Sequence, residues 1–326
     1  MNTQPKTILV TGCAGFIGSN FVKEFKNQFP RTVIVGIDDL STGKKSTLDK
    51  SVVFYQKSIC DEATLQKIFK KYKPEYVFHF AAIPRISYSV KEPVKTSEVN
   101  IIGTIKLLTA AKNYGVKRFI FSSSSSVYGG AKKMPTRESE NAPNPKSPYA
   151  AQKHSGEEFC ATFSRLYGLD TVSLRYFNVF GPGQYGNVAY STVISAWLES
   201  LYFPSKKQPF IEGNGTQSRD FCYVDNVVDA NICAMRSKKN FAGAVFNIAH
   251  GKRTSLIEVK NLIEKYTGKK INLKKYPARL GDVRHTHAHV GKAKKHLGYI
   301  PQVTLSDGLK KTIEWFDTRK KQSPKK

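Results

Sequence analysis

Two side chains near the middle of the chain, Tyr149 and Lys153, have the types and spacing for proton transfer. Ser147-Pro148 just before them reads as a helix start, with serine as the N-cap and proline in the first helical position. On such a helix, residues four apart share a face. A tyrosine titrates near pH ~10, so as a base at neutral pH it needs a neighbour that favours the phenolate, such as an ammonium. Upstream, the apolar run Arg118 to Phe121 leads into Ser122-Ser123-Ser124-Ser125-Ser126-Val127-Tyr128-Gly129. Taken alone, the tyrosine and lysine could be a surface helix pair and the serines a flexible polar loop. What precedes them argues otherwise.

The positioning elements begin at the N-terminus. Thr7 to Val10 is a short apolar strand pattern, followed by Thr11-Gly12-Cys13-Ala14-Gly15-Phe16-Ile17-Gly18 and an apolar helical pattern through Phe21, Val22 and Phe25. Strand, glycine-rich turn and helix together form a dinucleotide-binding fingerprint. Gly12 allows the tight turn, Gly15 the approach of a pyrophosphate, and Gly18 close helix–strand packing. The free amides of the helix then face the phosphates. Asp38 ends a second apolar run, Val33 to Ile37. An acid there binds the adenosine ribose and repels a 2′-phosphate, which points to NAD rather than NADP.

Apolar runs at Val52–Tyr55, Tyr76–Phe80, Arg118–Phe121 and Thr171–Leu174 alternate with helical stretches, including Ala63–Tyr72 and Val99–Tyr114. This alternation predicts an α/β fold, a Rossmann-type doubly wound parallel sheet, with ligands beyond the carboxyl ends of the strands. The expected division is a dinucleotide-binding domain over residues 1–178, with a return strand near 244–249, and a smaller mixed α/β substrate lobe over 179–326. The lobe ends in a basic tail. Gly181-Pro182-Gly183 and Gly213-Asn214-Gly215 are its turn signals.

Composition narrows the class. The chain has 326 residues, 40% of them hydrophobic, and no apolar run approaching the ~18 residues of a membrane span. A strand beginning by Thr7 leaves no room for a signal peptide. Five cysteines, at 13, 60, 160, 222 and 233, have no paired metal spacing, so no metal site is expected and free thiols in the cytoplasm are. Lysine plus arginine total 52 against 25 acids, a net charge of +27. The lysines are scattered and accompany no recognition motif, so a solvated basic face is preferred to nucleic-acid or membrane binding.

These segments, with Asp38-Asp39-Leu40-Ser41-Thr42-Gly43, His79-Phe80-Ala81-Ala82, Arg175 to Pro182, Gln217 to Phe221 and Arg279-Leu280-Gly281-Asp282, resemble the extended short-chain dehydrogenase/reductases. The resemblance runs over roughly residues 7–316. It is to UDP-hexose 4-epimerases, most of all the branch acting on UDP-N-acetylhexosamines. It implies a catalytic set of Ser124, Tyr149 and Lys153, in which Tyr149 is the base. For NAD it implies contacts from Gly12, Gly15, Phe16, Ile17, Gly18 and residues 38–43, named above. Ser58, Ile59, Phe80, Ala81, Ala82, Asn100, Ser122, Tyr149, Lys153, Tyr176 and Val179 complete that implied set. For the UDP-sugar it implies Ser124, Tyr149, Asn178, Asn187, Phe210, Arg219, Arg279, Asp282 and Thr286. Ser58 stands where the family usually has an acid beside the adenine, and Ala288-His289 where it has Ala-Asp.

The implied activity is C4 epimerisation of a UDP-hexose through a 4-keto sugar, chiefly between UDP-GlcNAc and UDP-GalNAc, with UDP-Glc and UDP-Gal as further substrates. Threonine at 286, beside the hexose 2-substituent in the family, leaves room for an acetamide where tyrosine would not. Ser126 stands where 4,6-dehydratases carry glutamate, which argues against elimination. UDP-glucuronate 4-epimerases are the nearest alternative, although they tend to have threonine at the position of Asn178. Outside enzymes, the alternative is an NAD-binding regulator or a nucleic-acid-binding protein using the basic surface. A homodimer is implied, pairing the helices that follow Glu98 and Tyr149.

Overall fold

The computed structural model describes residues 4–84, 86–140, 142–186, 192–204, 208–277 and 283–323. Seven parallel strands form the central sheet: β1 (Thr7–Thr11), β2 (Val33–Ile37), β3 (Val53–Tyr55), β4 (Tyr76–His79), β5 (Arg118–Ser124), β6 (Thr171–Tyr176) and β7 (Ala244–Ile248). Their order in space is β7-β6-β5-β4-β1-β2-β3. The order reverses direction between β1 and β4, which opens a crevice at the carboxyl ends of those two strands. Strands of this sheet read as near-continuous apolar runs because both faces are covered. One core packs Phe21, Phe25, Phe78 and Val228 on one face, and another packs Leu65, Phe69, Leu108 and Phe119 on the other.

The first helix, α1 (Phe16–Gln28), starts on Gly15, which has no side chain to cap it. The second helix used below, α2 (Pro148–Tyr167), begins as the sequence predicts: Ser147 caps it by accepting from the Ala150 amide at 3.2 Å, and Pro148 opens the first turn. Between them, the expected helix over Val99–Tyr114 is a π-helical segment, Glu98–Gly103, running into an α-helix, Thr104–Asn113. Gly103 sits there because a β-carbon would meet Ile59 at 2.8 Å.

After β6 the elements shorten. Strands Val179–Phe180, Phe210–Glu212, Ser218–Asp220 and Lys274–Tyr276 form small two-stranded sheets with their partners. Helices α3 (Val193–Tyr202) and α4 (Leu305–Gln322) pack around a third core containing Trp197, Leu198, Leu309 and Phe316. The return strand β7 pairs with β6 in parallel, Phe246 opposite Leu174.

Candidate active site and cofactor cavity

A cavity of about 380 Å³ opens at the carboxyl ends of β1, β2 and β4. Gly12 turns the chain away from β1 with φ +68°, and a β-carbon there would lie 2.7 Å from the Ala81 amide nitrogen. A side chain at Gly18 would overlap the Gly12 carbonyl, so only glycine lets α1 sit this close to the turn. The amide-bearing first turn of α1 thereby faces the cavity with no side-chain cap. That is the arrangement a pyrophosphate requires.

Asp38, at the end of β2, is buried and accepts from the amides of Ala14 at 2.9 Å and Leu40 at 2.8 Å. Burial raises its pKa, and those same amides pull it down. Leu40 itself adopts φ +60°, a conformation stabilised here by the hydrogen bond that its N–H donates to the Asp38 carboxylate. The glycine cradle, the uncapped helix and a buried carboxylate at the end of β2 together fit a dinucleotide.

The floor of the site is organised by His79. Thr104 Oγ1 donates to the Asn100 carbonyl at 2.8 Å, so toward His79 Nε2, at 2.9 Å, it accepts. His79 Nδ1 is then the acceptor for Thr11 Oγ1 at 2.7 Å, and Thr11 in turn accepts from the Ala81 amide. One buried neutral imidazole thus ties β1 and β4 to the start of the helix Thr104–Asn113. Burial, and secondarily Lys153, hold its pKa down at about 3.

The serine run behaves as a set of separate fixings rather than a loop. Tyr149, Lys153 and Glu157 recur every four residues along α2 and face β5. Ser122 offers its carbonyl to Lys153 Nζ at 2.8 Å, and Ser123 donates to Glu157 at 2.5 Å. Ser124 accepts from the Ser126 amide at 3.2 Å and acts on the Tyr149 hydroxyl, pulling its pKa down against burial. Glu157 is further held by a bidentate pair with Arg175, both distances 2.7 Å. Buried and geometrically complete, such a pair locks α2 against β5 and β6.

The electrostatics differ from expectation at one point. Burial pushes the Tyr149 hydroxyl up to about 12, with Ser124 acting in the opposite direction. No hydrogen bond joins Lys153 Nζ to that hydroxyl; the ammonium lies 5.9 Å from the Tyr149 ring centroid and 5.0 Å from that of Phe121. Burial lowers Lys153 to about 8. The lysine is therefore a nearby charge in a dry site, bound to the strand, and not a direct partner of the phenol.

Of the expected cofactor contacts, Gly12, Gly15, Phe16, Ile17, Gly18, Asp38, Asp39, Ser41, Thr42, Ser58, Ile59, Phe80, Ala81, Ala82 and Val179 line the cavity. Leu40, Gly43, Asn100, Ser122, Tyr149, Lys153 and Tyr176 are not among its lining residues. Gly43 abuts Ala14, Asn100 holds the Ile83 backbone from behind, and Tyr176 is buried against Asn231. Sequence reasoning missed several lining residues, among them Lys44, Gln184, Tyr185 and Thr192. Lys44 directly follows the Ser41-Thr42-Gly43 segment and Gln184-Tyr185 the Gly181-Pro182-Gly183 turn, so adjacency was the available signal.

Of the expected sugar-nucleotide residues, the structure brings three, Asn178, Arg219 and Thr286, together around strand Ser218–Asp220. Asn178, at φ +24°, donates to the Thr286 hydroxyl at 3.0 Å and to the Asp220 carbonyl at 3.3 Å. Thr286 also accepts from the Asp220 amide at 3.2 Å. Arg219 donates to the carbonyls of Ser218 and Arg284. Phe210 is half exposed and meets Tyr276 edge to face, ring centroids 5.5 Å apart. Asn187, Arg279 and Asp282 lie outside the described residues.

Comparison with known proteins decides the family. Residues 8–249 match the model of the NAD dependent epimerase/dehydratase family. The chain belongs to that family. NAD is its cofactor, and the cavity described above fits it. Among solved structures, the UDP-glucose 4-epimerase of Thermotoga maritima, determined with UDP-glucose, is 40% identical with a TM-score of 0.90, covering 96% of this chain and 99% of its own. A UDP-N-acetylglucosamine 4-epimerase from Methanobrevibacter ruminantium, in complex with UDP-N-acetylmuramic acid, is 37% identical with a TM-score of 0.89, covering 97% and 100%. A UDP-glucuronic acid 4-epimerase from Bacillus cereus, with UDP-glucuronic acid and NAD, is 32% identical with a TM-score of 0.86, covering 96% and 99%. All three act as UDP-sugar 4-epimerases by name, and they differ in the sugar.

Proposed function

We propose that this protein is a UDP-hexose 4-epimerase that interconverts UDP-GlcNAc and UDP-GalNAc and also accepts UDP-Glc and UDP-Gal. The epimerase reading rests on one juxtaposition: Ser124, Tyr149 and Lys153 sit together at the carboxyl end of β5, on the ligand end of the same sheet as the NAD cavity. The acetylated sugar is supported by Thr286, a small side chain where a tyrosine would restrict the pocket, and by the likeness to the M. ruminantium enzyme.

In this reading the sugar 4-hydroxyl is held by Ser124 and Tyr149, and its proton passes to the Tyr149 oxygen. Bound NAD supplies the acceptor for the C4 hydride and a positive ring charge that favours the phenolate. Lys153, lowered by burial to about 8, remains an ammonium at neutral pH and steadies the negative charge that develops on Tyr149. Ser124 keeps the phenol oxygen aimed because its own position is fixed by the Ser126 amide. The 4-keto sugar turns over and regains hydrogen on the other face of C4, while Tyr149 returns the proton. Asn178, Arg219 and Phe210 grip the UDP moiety so that only the hexose turns. Asn187, Arg279 and Asp282 are proposed to share that grip.

We also read the protein as a homodimer through the helices that follow Glu98 and Tyr149, supported by the exposed Ile102 on Glu98–Gly103 and Leu166 on α2. The experiment for the sugar is direct. Purified protein is incubated without added NAD with UDP-GlcNAc, UDP-Glc or UDP-glucuronate, and the C4 epimers are resolved by chromatography. Conversion of UDP-GlcNAc supports the proposal. Conversion of UDP-glucuronate alone would replace it with the glucuronate reading.

A further inference from the structure

The cofactor cavity has a second wall that the fingerprint does not describe. One side of its mouth is the segment after β2, ending at Lys44; the other is the segment Gly183–Tyr185, which belongs to the part of the chain after β6. Lys44 is drawn over Ala14 by a hydrogen bond from its amide to the Ala14 carbonyl at 3.2 Å. Its ammonium crosses the mouth to rest 3.4 Å from the centroid of the Tyr185 ring. Asn20, in the first turns of α1, donates to the Pro182 carbonyl at 2.9 Å and so ties this segment to the helix start. The bridge therefore passes over the helix start where a diphosphate belongs.

Tyr185 is itself seated from behind. The guanidinium of Arg319, on α4, stacks 4.8 Å from the same ring, and Trp315 meets that ring edge to face at 5.5 Å. Arg319 is anchored by a bidentate pair with Glu199 of α3, at 2.6 and 2.7 Å. Glu199 also accepts from the Gly186 amide at 3.3 Å, fixing the segment that carries Tyr185. Glu199 is buried. The cluster holds two cations and one carboxylate, and that carboxylate is committed to Arg319. Among the described residues Lys44 makes no ion pair, so the cluster leaves one uncompensated positive charge facing the cavity.

We propose that Lys44 is a cofactor-retaining residue that binds the diphosphate of NAD, with Tyr185 and Arg319 as positioning residues that hold it across the cavity mouth. The device joins the two walls through one aromatic ring, and bound NAD must part Lys44 from Tyr185 to leave. It suits a reaction that returns its cofactor unchanged in every cycle. The inference rests on NAD binding alone and is independent of which sugar is used.

The test is the rate of NAD loss from holoenzyme. Protein carrying NAD is mixed with excess etheno-NAD, and exchange is followed by fluorescence. Removing one charge-assisted hydrogen bond to a diphosphate corresponds to about tenfold or more in exchange rate. Lys44→Ala and Tyr185→Leu should each accelerate exchange by that factor, and the double variant should be no faster than either alone. Tyr185→Phe keeps the ring and should exchange more slowly than Tyr185→Leu, which separates the aromatic seat from a generic packing role. Raising salt should speed exchange in the wild type and leave Lys44→Ala unchanged, because screening acts on the charge that has been removed. Wild-type exchange and salt dependence in Lys44→Ala would overturn the proposal. Acceleration in Tyr185→Leu with none in Lys44→Ala would also overturn it, since the ring would then act without the charge.

Discussion

Replacing Tyr149 by phenylalanine removes a single oxygen from the centre of the site, and the structure says how much else should change. Ser124, the side chain that acts on that oxygen, keeps its bond with the Ser126 amide at 3.2 Å when the phenol is gone. The folding cost is therefore at most that of one buried hydrogen bond, about 0.5–1.5 kcal/mol. The ring, its packing and the α2 lock through Glu157 and Arg175 all remain. Turnover is another matter, because positioned proton transfer contributes ~100- to 10,000-fold. The expected signature is a kcat reduced by that factor, with KM for the UDP-sugar and NAD content close to wild type. Steady-state rates from chromatographic separation of epimers, together with a thermal melt, measure both sides. A turnover within about threefold of wild type, far short of that range, would show that another group takes the proton.

Three further outcomes follow from the geometry. Gly18→Ala places a β-carbon against the Gly12 carbonyl, so the variant should purify with much less NAD than the wild type, as absorbance of the released cofactor would show; full NAD content would mean the turn yields easily. Lys153 is held down at about 8 by burial, so between there and the ordinary lysine value the unfolded chain binds the extra proton. Its contribution to stability should rise with pH across that window, and urea titrations at pH 8 and 10 should show a smaller rise in Lys153→Met; an identical rise would remove the lysine as the cause. Thr286→Tyr should suppress conversion of the acetylated pair and spare the non-acetylated pair, whereas equal loss of both would mean that its bonds to Asn178 and Asp220 matter rather than its size.

The fold was legible because its signals are local. Each sheet strand is a short apolar run, and glycines at 12, 15 and 18 have spacing that only a strand–turn–helix can use. Ser147-Pro148 likewise marks the start of α2 from sequence alone. The site was legible only in part, since periodicity says which residues share a face and not what they touch. That Tyr149 and Lys153 lie on one face was readable; that Lys153 would bond to the Ser122 carbonyl rather than the phenol was not. Asn100 and Tyr176, implied by resemblance as cofactor contacts, lie behind the cavity wall because each finds buried partners of its own. The meeting of Lys44, Tyr185 and Arg319 spans most of the chain and leaves no local trace.

The central claim is that hydrogen leaves C4 as hydride and returns to the same carbon without mixing with solvent. UDP-GlcNAc carrying deuterium at C4 tests it most directly. After incubation with the protein in ordinary water, without added NAD, the UDP-GalNAc formed should retain its deuterium at C4, as mass spectrometry and NMR would record. Loss of the label to solvent, or formation of product with deuterium only when the water is heavy, would contradict the account.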